Sequence, residues 1–79
     1  MNDLTDKQKE CLIIINLFIK RNGYSPTVRE IAKELKNNSP ATTFHHMKEL
    51  KKKGYITWIK GQNRTIRLMD GVNEKINNR

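Results

Sequence analysis

Lys48, Lys51, Lys52 and Lys53 stand within one six-residue run, and Lys60, Arg64 and Arg67 follow within the next fourteen residues. Ammonium and guanidinium groups at this density suit phosphates, whose counterions they displace. Just ahead lie Ser39, Ala41, Thr42, Phe44 and His45. Hydroxyls can pair with donors or acceptors on base edges, and small or apolar groups can touch a thymine methyl. The chemistry on offer is recognition of a polyanion. No serine has the setting of a nucleophile, and no carboxylate pair is placed for acid–base work, so the reading is a non-enzyme. His45 and His46 are adjacent, which on a helix turns their rings about 100° apart. With no cysteine or acidic partner at ligand spacing, neither a metal nor another cofactor is expected.

The charge is concentrated in the same place. The chain has 79 residues, with 16 Lys and Arg against 8 Asp and Glu, a net charge of +8. Residues 1–35 net +1, and residues 68–79 net zero. Residues 36–67 hold eight basic side chains against Glu49 alone and net +7. A uniform lysine bias would not produce this, whereas a phosphate-facing surface would. At 9.3 kDa there is material for one small core. The longest apolar run, Cys11 to Ile15, is far too short to span a membrane, and Asp3 and Asp6 do not suit a signal peptide. A single cysteine fits a reducing cytoplasm, with the chain placed on the nucleoid. On the apolar stripe, that cysteine reads as a buried, inert thiol.

Local signals place these groups on elements. Thr5 and Gln8 form a capping box that opens a first helix. Cys11, Ile14, Ile15, Phe18 and Ile19 make its apolar stripe, and Gly23 suits its end. Thr27 and Glu30 form a second capping box, before a short helix with Ile31, Ala32 and Leu35 on one face. Lys36-Asn37-Asn38 breaks that helix, asparagine tolerating the left-handed turn conformation. Ser39-Pro40 starts a third helix that runs to Gly54. Its core face is Thr43, Met47 and Leu50, and the opposite face shows Ala41, His45, Lys48 and Lys52, flanked by Thr42, Phe44 and Lys51. Phe44 could equally complete the core. Tyr55–Lys60 and Thr65–Met69 read as strands of a hairpin turning at Gly61-Gln62-Asn63. The fold class is mainly α with a small β-hairpin, a three-helix winged helix-turn-helix over residues 1–69. Residues 70–79 read as a polar, flexible tail.

In such a fold the third helix enters the major groove, its N-terminal residues at the bases. Base contacts are therefore expected from Ser39, Ala41, Thr42, Phe44 and His45. Phosphate contacts are expected from Thr27, Lys48, Lys51, Lys52, Lys53, Lys60, Arg64 and Arg67.

The chain resembles the N-terminal DNA-binding domain of LexA-type repressors. The matching stretches are Leu4-Thr5 with Gln8, the run Gly23-Tyr24-Ser25-Pro26-Thr27-Val28-Arg29-Glu30-Ile31, Ser39-Pro40, His46-Met47-Lys48, Leu50, Lys53-Gly54, Ile56, and Arg64 with Ile66. The resemblance implies a sequence-specific regulator of transcription, a repressor, that reads double-stranded DNA. It points to the same five residues at bases, and to Lys53 and Arg64 at phosphates. LexA-type repressors also carry a self-cleaving Ser-Lys domain that makes the main dimer contacts, and no such domain lies in these residues. Self-cleavage is therefore not carried over.

Two features depart from the family pattern. Phe44 and His45 stand where some branches have small, polar or acidic residues, which points to a different operator. Ile13 and Leu17 lie at about 200° and 240° around the first helix, outside the core stripe. An apolar pair there suggests a protein contact, either a homodimer formed on or off DNA or a second regulatory protein. The alternative reading is a winged-helix interaction module, an anti-repressor or co-regulator, and the +7 segment argues against it. An RNA-binding winged helix is a third.

Overall fold

A computed structural model describes residues 3–36 and 39–69. The expected tail at 70–79 and the Asn37-Asn38 part of the helix break lie outside these residues. The element order is α1 (Asp6–Asn22), α2 (Val28–Glu34), α3 (Pro40–Lys52), β1 (Ile56–Thr57) and β2 (Arg67–Leu68).

Each helix begins where its cap residues require. The Thr5 hydroxyl accepts from the Gln8 amide while the Gln8 side chain accepts from the Thr5 amide. Thr27 and Glu30 repeat the arrangement at α2. Ser39 accepts from the Thr42 amide, with Pro40 in the first helical position, where a missing N–H costs nothing. α1 closes on Gly23 at φ 78°. α3 closes in a Schellman motif: Tyr55 N–H donates to Leu50, Gly54 N–H donates to Lys51, and Gly54 holds φ 86°. At the end of α2, Lys36 is left-handed, at φ 45°.

The three helices enclose one core. Cys11, Leu12, Ile15, Ile31 and Leu50 have no exposed surface, and Leu35, Met47 and Ile56 are all but buried. The buried face of α1 is turned slightly from the expected stripe. Leu12, Gln8 and Asn16 join Cys11 and Ile15 inside, while Ile14 and Ile19 are half-buried against the core's edge. The reason is that α1 packs on both α2 and α3, so its contact face is wider than a single stripe. Burial pushes the Cys11 thiol up to about 12, in keeping with an inert side chain.

The hairpin is real but its ladder is short. Ile56 pairs with Leu68 and Thr57 with Arg67, antiparallel. Beyond Thr57 the chains separate, because the Ile59 amide donates to the Thr65 hydroxyl instead of to a backbone carbonyl. That hydroxyl in turn reaches the Ile59 and Gln62 carbonyls, and Gln62 N–H closes a turn onto Ile59. A side-chain-knotted loop, the wing, thus spans residues 58–66. This is a winged helix-turn-helix. No helix of the described residues is long and apolar enough to cross a membrane.

Candidate nucleic-acid interface

α3 is the element that presents the expected side chains. Thr43, Met47 and Leu50 hold it to the core. Because they recur at helical spacing, the other side of the helix is turned out. Ala41, Thr42, His45, Lys48, Lys51 and Lys52 are all exposed, with Ser39 exposed at the cap. Ser39 also donates to the Thr42 hydroxyl at 3.1 Å, so these two hydroxyls form one polar unit at the helix start. His46, next to this face, is half-buried with its Nδ1 unpartnered among the described residues. Burial chiefly, and then the charges of His45 and Lys7, hold its pKa below the ordinary value.

Phe44 does not complete the core. It is 38 % exposed and leans on Trp58 of the wing, ring centroids 5.7 Å apart. Two lysines cover this aromatic pair. Lys48 Nζ lies 5.3 Å from the Phe44 ring centre, and Lys51 Nζ lies 4.5 Å from that of Trp58. The aromatic faces give long, flexible side chains a resting place, which fixes two positive charges between α3 and the wing. Beneath them is a cleft of about 260 Å³, walled by Pro26 and Val28 on one side and Trp58, Gly61 and Asn63 on the other. Thr27 also lines the cleft, although its hydroxyl is occupied by the α2 cap.

The basic residues fall into two groups. Lys52, Lys60 and Arg67 are exposed, and their side chains make no ion pair or hydrogen bond among the described residues. With Lys48 and Lys51 they are open to an external anion. Lys53 and Arg64 are engaged internally. Lys53 Nζ donates to the Asp3 carbonyl at 2.6 Å and to Gln8 Oε1 at 3.0 Å. Tyr55 donates to the Asp3 carboxylate, at 2.7 Å, and this bond is the main cause that lowers the Asp3 pKa. Arg64 forms a two-pronged pair with Glu30, at 2.9 and 3.2 Å, and donates to the Ser25 carbonyl. Its guanidinium also lies 4.9 Å from the Tyr24 ring centre.

A family profile described as the LexA DNA binding domain matches residues 1–65. The chain belongs to that family. It is 41% identical over 76 residues to the LexA repressor of Thermotoga maritima, a match covering 96% of this chain and 38% of that protein. It is 46% identical over 69 residues to the LexA repressor of Desulfatibacillum aliphaticivorans, covering 87% of this chain and 34% of that one. The LexA repressor of Leptospira interrogans is 42% identical over 69 residues, again 87% and 34%. The chain thus spans little more than a third of the length of these relatives.

The LexA-family match takes in all three helices, β1 and the wing as far as Thr65, so the α3 face and both internally engaged cations lie inside it. Two parts of the interface escape a linear reading. Trp58 registers in the sequence only as a strand-former, yet it sits where the wing meets α3. The engagements of Lys53 and Arg64 join residues 34 to 50 positions apart, beyond the reach of any local pattern. The signal available was the capping boxes themselves, whose third residues serve as acceptors for both cations.

Proposed function

We propose that this domain is the operator-reading part of a transcriptional repressor. It lays α3 in the major groove of double-stranded DNA, on the nucleoid in the cytoplasm. The observation that carries this is the outward face of α3: Ser39, Ala41, Thr42 and His45 at its start and Lys48, Lys51 and Lys52 behind them, with half-buried Glu49 the one acidic residue of the helix. Residues at the helix start read base edges, and Phe44, leaning to the wing, touches the base or sugar nearest that side. Lys48, Lys51, Lys52, Lys60 and Arg67 contact phosphates, and Thr27 stands beside them with its hydroxyl and amide both held in the α2 cap.

Selection of bound sequences from a random duplex pool, followed by titration of the selected site against salt, tests this. Five phosphate contacts predict that log K falls with log salt at a slope of about 4 to 5. A salt-insensitive isotherm, tighter binding to RNA than to duplex, or capture of a protein in nuclease-treated extract with no duplex selected would overturn it.

A second copy of the chain fits the outer side of α1. Leu17 is 42 % exposed and shares a groove with Ile14 and Phe18, rimmed by Arg21 and Glu34. An apolar strip carrying both signs of charge can complement itself about a two-fold axis, as a palindromic operator requires. Ile13 is half-buried and contributes less than its wheel position suggested. Sedimentation of Leu17→Asp, free and on the selected site, reads this contact, and unchanged assembly in both removes it.

A further inference from the structure

Arg64 is the most heavily engaged cation on the wing. Three of its five N–H donors are in use: two on the separate oxygens of Glu30 and one on the Ser25 carbonyl. Tyr24 takes one face of the guanidinium. Its backbone sits at φ 57°, a left-handed conformation that a non-glycine residue adopts only where its surroundings demand it. The partners are themselves held. Glu30 Oε1 also accepts from the Thr27 amide at 2.8 Å, so the carboxylate is fixed by the start of α2. Ser25 accepts from the Ile66 amide through its hydroxyl at 3.1 Å, which ties down the return limb of the wing two residues beyond Arg64. One side chain therefore joins the wing to the first turn of α2 and to the turn preceding it.

We propose that Arg64 and Glu30 are positioning residues for DNA reading: a bidentate latch that fixes the angle of the wing against α2, and with it Trp58 and the charges of Lys60 and Arg67. This deepens the DNA-binding reading above and rests on it. The latch predicts an effect of unusual sign. An acidic side chain beside a DNA surface repels phosphates, so removing it should tighten binding if charge alone mattered. If Glu30 sets the wing, removing its charge weakens binding instead.

The variants are Glu30→Gln, Arg64→Lys and the double. Glutamine keeps the α2 capping box, as Gln8 does for α1, but gives up the charged two-pronged pair. Lysine keeps the positive charge but cannot form the fork. Two measurements are made on the selected duplex and on the free domain, with circular dichroism confirming the fold. Affinity should fall about five- to tenfold in either single variant and no further in the double, with the salt slope unchanged. In the free domain, hydrogen exchange at the Ile66 amide should speed up about tenfold in both. Tighter or unchanged binding by Glu30→Gln would overturn the latch, as would additive losses. So would wild-type affinity in Arg64→Lys together with a slope about 0.9 lower in Arg64→Met, which would mark a direct phosphate contact. Wild-type protein that binds no duplex would refute the DNA reading, and the Ile66 exchange would still decide whether the latch exists.

Discussion

The domain carries two kinds of basic side chain a few residues apart. Lys48, Lys51 and Lys52 on α3 either lie over aromatic rings or stand free. Lys53 is the very next residue, yet it reaches across to the start of α1, as Arg64 on the wing reaches the start of α2. Both engaged cations end on the third residue of a capping box, Gln8 or Glu30. A capping acceptor at a helix N-terminus is already held by its own backbone, which makes it a rigid anchor for a distant cation. The lesson is that basic residues in one stretch of chain can have opposite tasks. One set is left for an external anion, and the other fixes the frame on which the first set is mounted.

The sharpest way to break this division is to exchange charges within it. Reversing Lys48 and Lys52 to Glu should lower affinity at low salt by on the order of a hundredfold or more, and reduce the salt slope by about 2. Lys53→Met removes one positive charge just beyond α3, and its slope should stay at the wild-type value while its melting temperature falls. A slope as reduced in Lys53→Met as in a single change at Lys48 would collapse the two groups into one.

The capping boxes give a smaller effect with a clear contrast. Thr5→Ala and Thr27→Ala should each cost about 0.5–2 kcal/mol of stability, read by chemical denaturation. Only Thr27→Ala should also weaken operator binding, because its box holds the acceptor of the wing latch. Equal losses of affinity in the two variants would mean that the boxes act on DNA binding through stability alone. Trp58→Leu comes next. It removes the surface under Lys51 and the partner of Phe44, contacts worth about 0.5–1 kcal/mol each at a partly exposed site. Affinity should fall about three- to tenfold, and the same Lys51→Ala change made in the Trp58→Leu background should then cost less than it does in wild type.

Much of this architecture was legible in the sequence, for physical reasons that are local. Capping boxes, the glycine after α1 and the Ser39-Pro40 start each act within four residues, and each lies where the chain alone places it. The outward face of α3 follows from Thr43, Met47 and Leu50 by helical geometry. The hairpin was legible as strands but not in its extent, because the Thr65 hydroxyl takes over a backbone hydrogen bond. Leu12 fell outside the counted stripe because α1 touches two helices at once. Lys36 adopts a left-handed conformation at the end of α2, which its residue type does not signal. The two engaged cations were illegible in kind: a lysine bound to Gln8 and one turned to solvent have the same sequence neighbourhood.

The smallest expected effect is on acid stability, and it separates the frame from the α3 flank. His46 has a lowered pKa, mainly through burial, so the unfolded chain binds its proton more readily than the folded one. Its contribution is complete above the ordinary value of 6.5 and is lost as pH falls from there through the folded value. Glu30, lowered chiefly by its hydrogen bond to Arg64, and Asp3, lowered chiefly by Tyr55, act in a lower window. Their contributions are complete above the ordinary values of 4.5 and 3.8 and are lost below them. Asp3 is exposed and Glu30 partly so, and solvent therefore screens both and each should shift the curve only slightly. Denaturation measured from pH 7.5 to 3 should show a gentle decline beginning near 6.5 and a second beginning near 4.5. His46→Gln should remove the first alone, and Glu30→Gln should shrink the second alone. A lower decline left intact by Glu30→Gln would detach the wing latch from the stability of the fold. The division between free and engaged cations would then rest on DNA binding and hydrogen exchange.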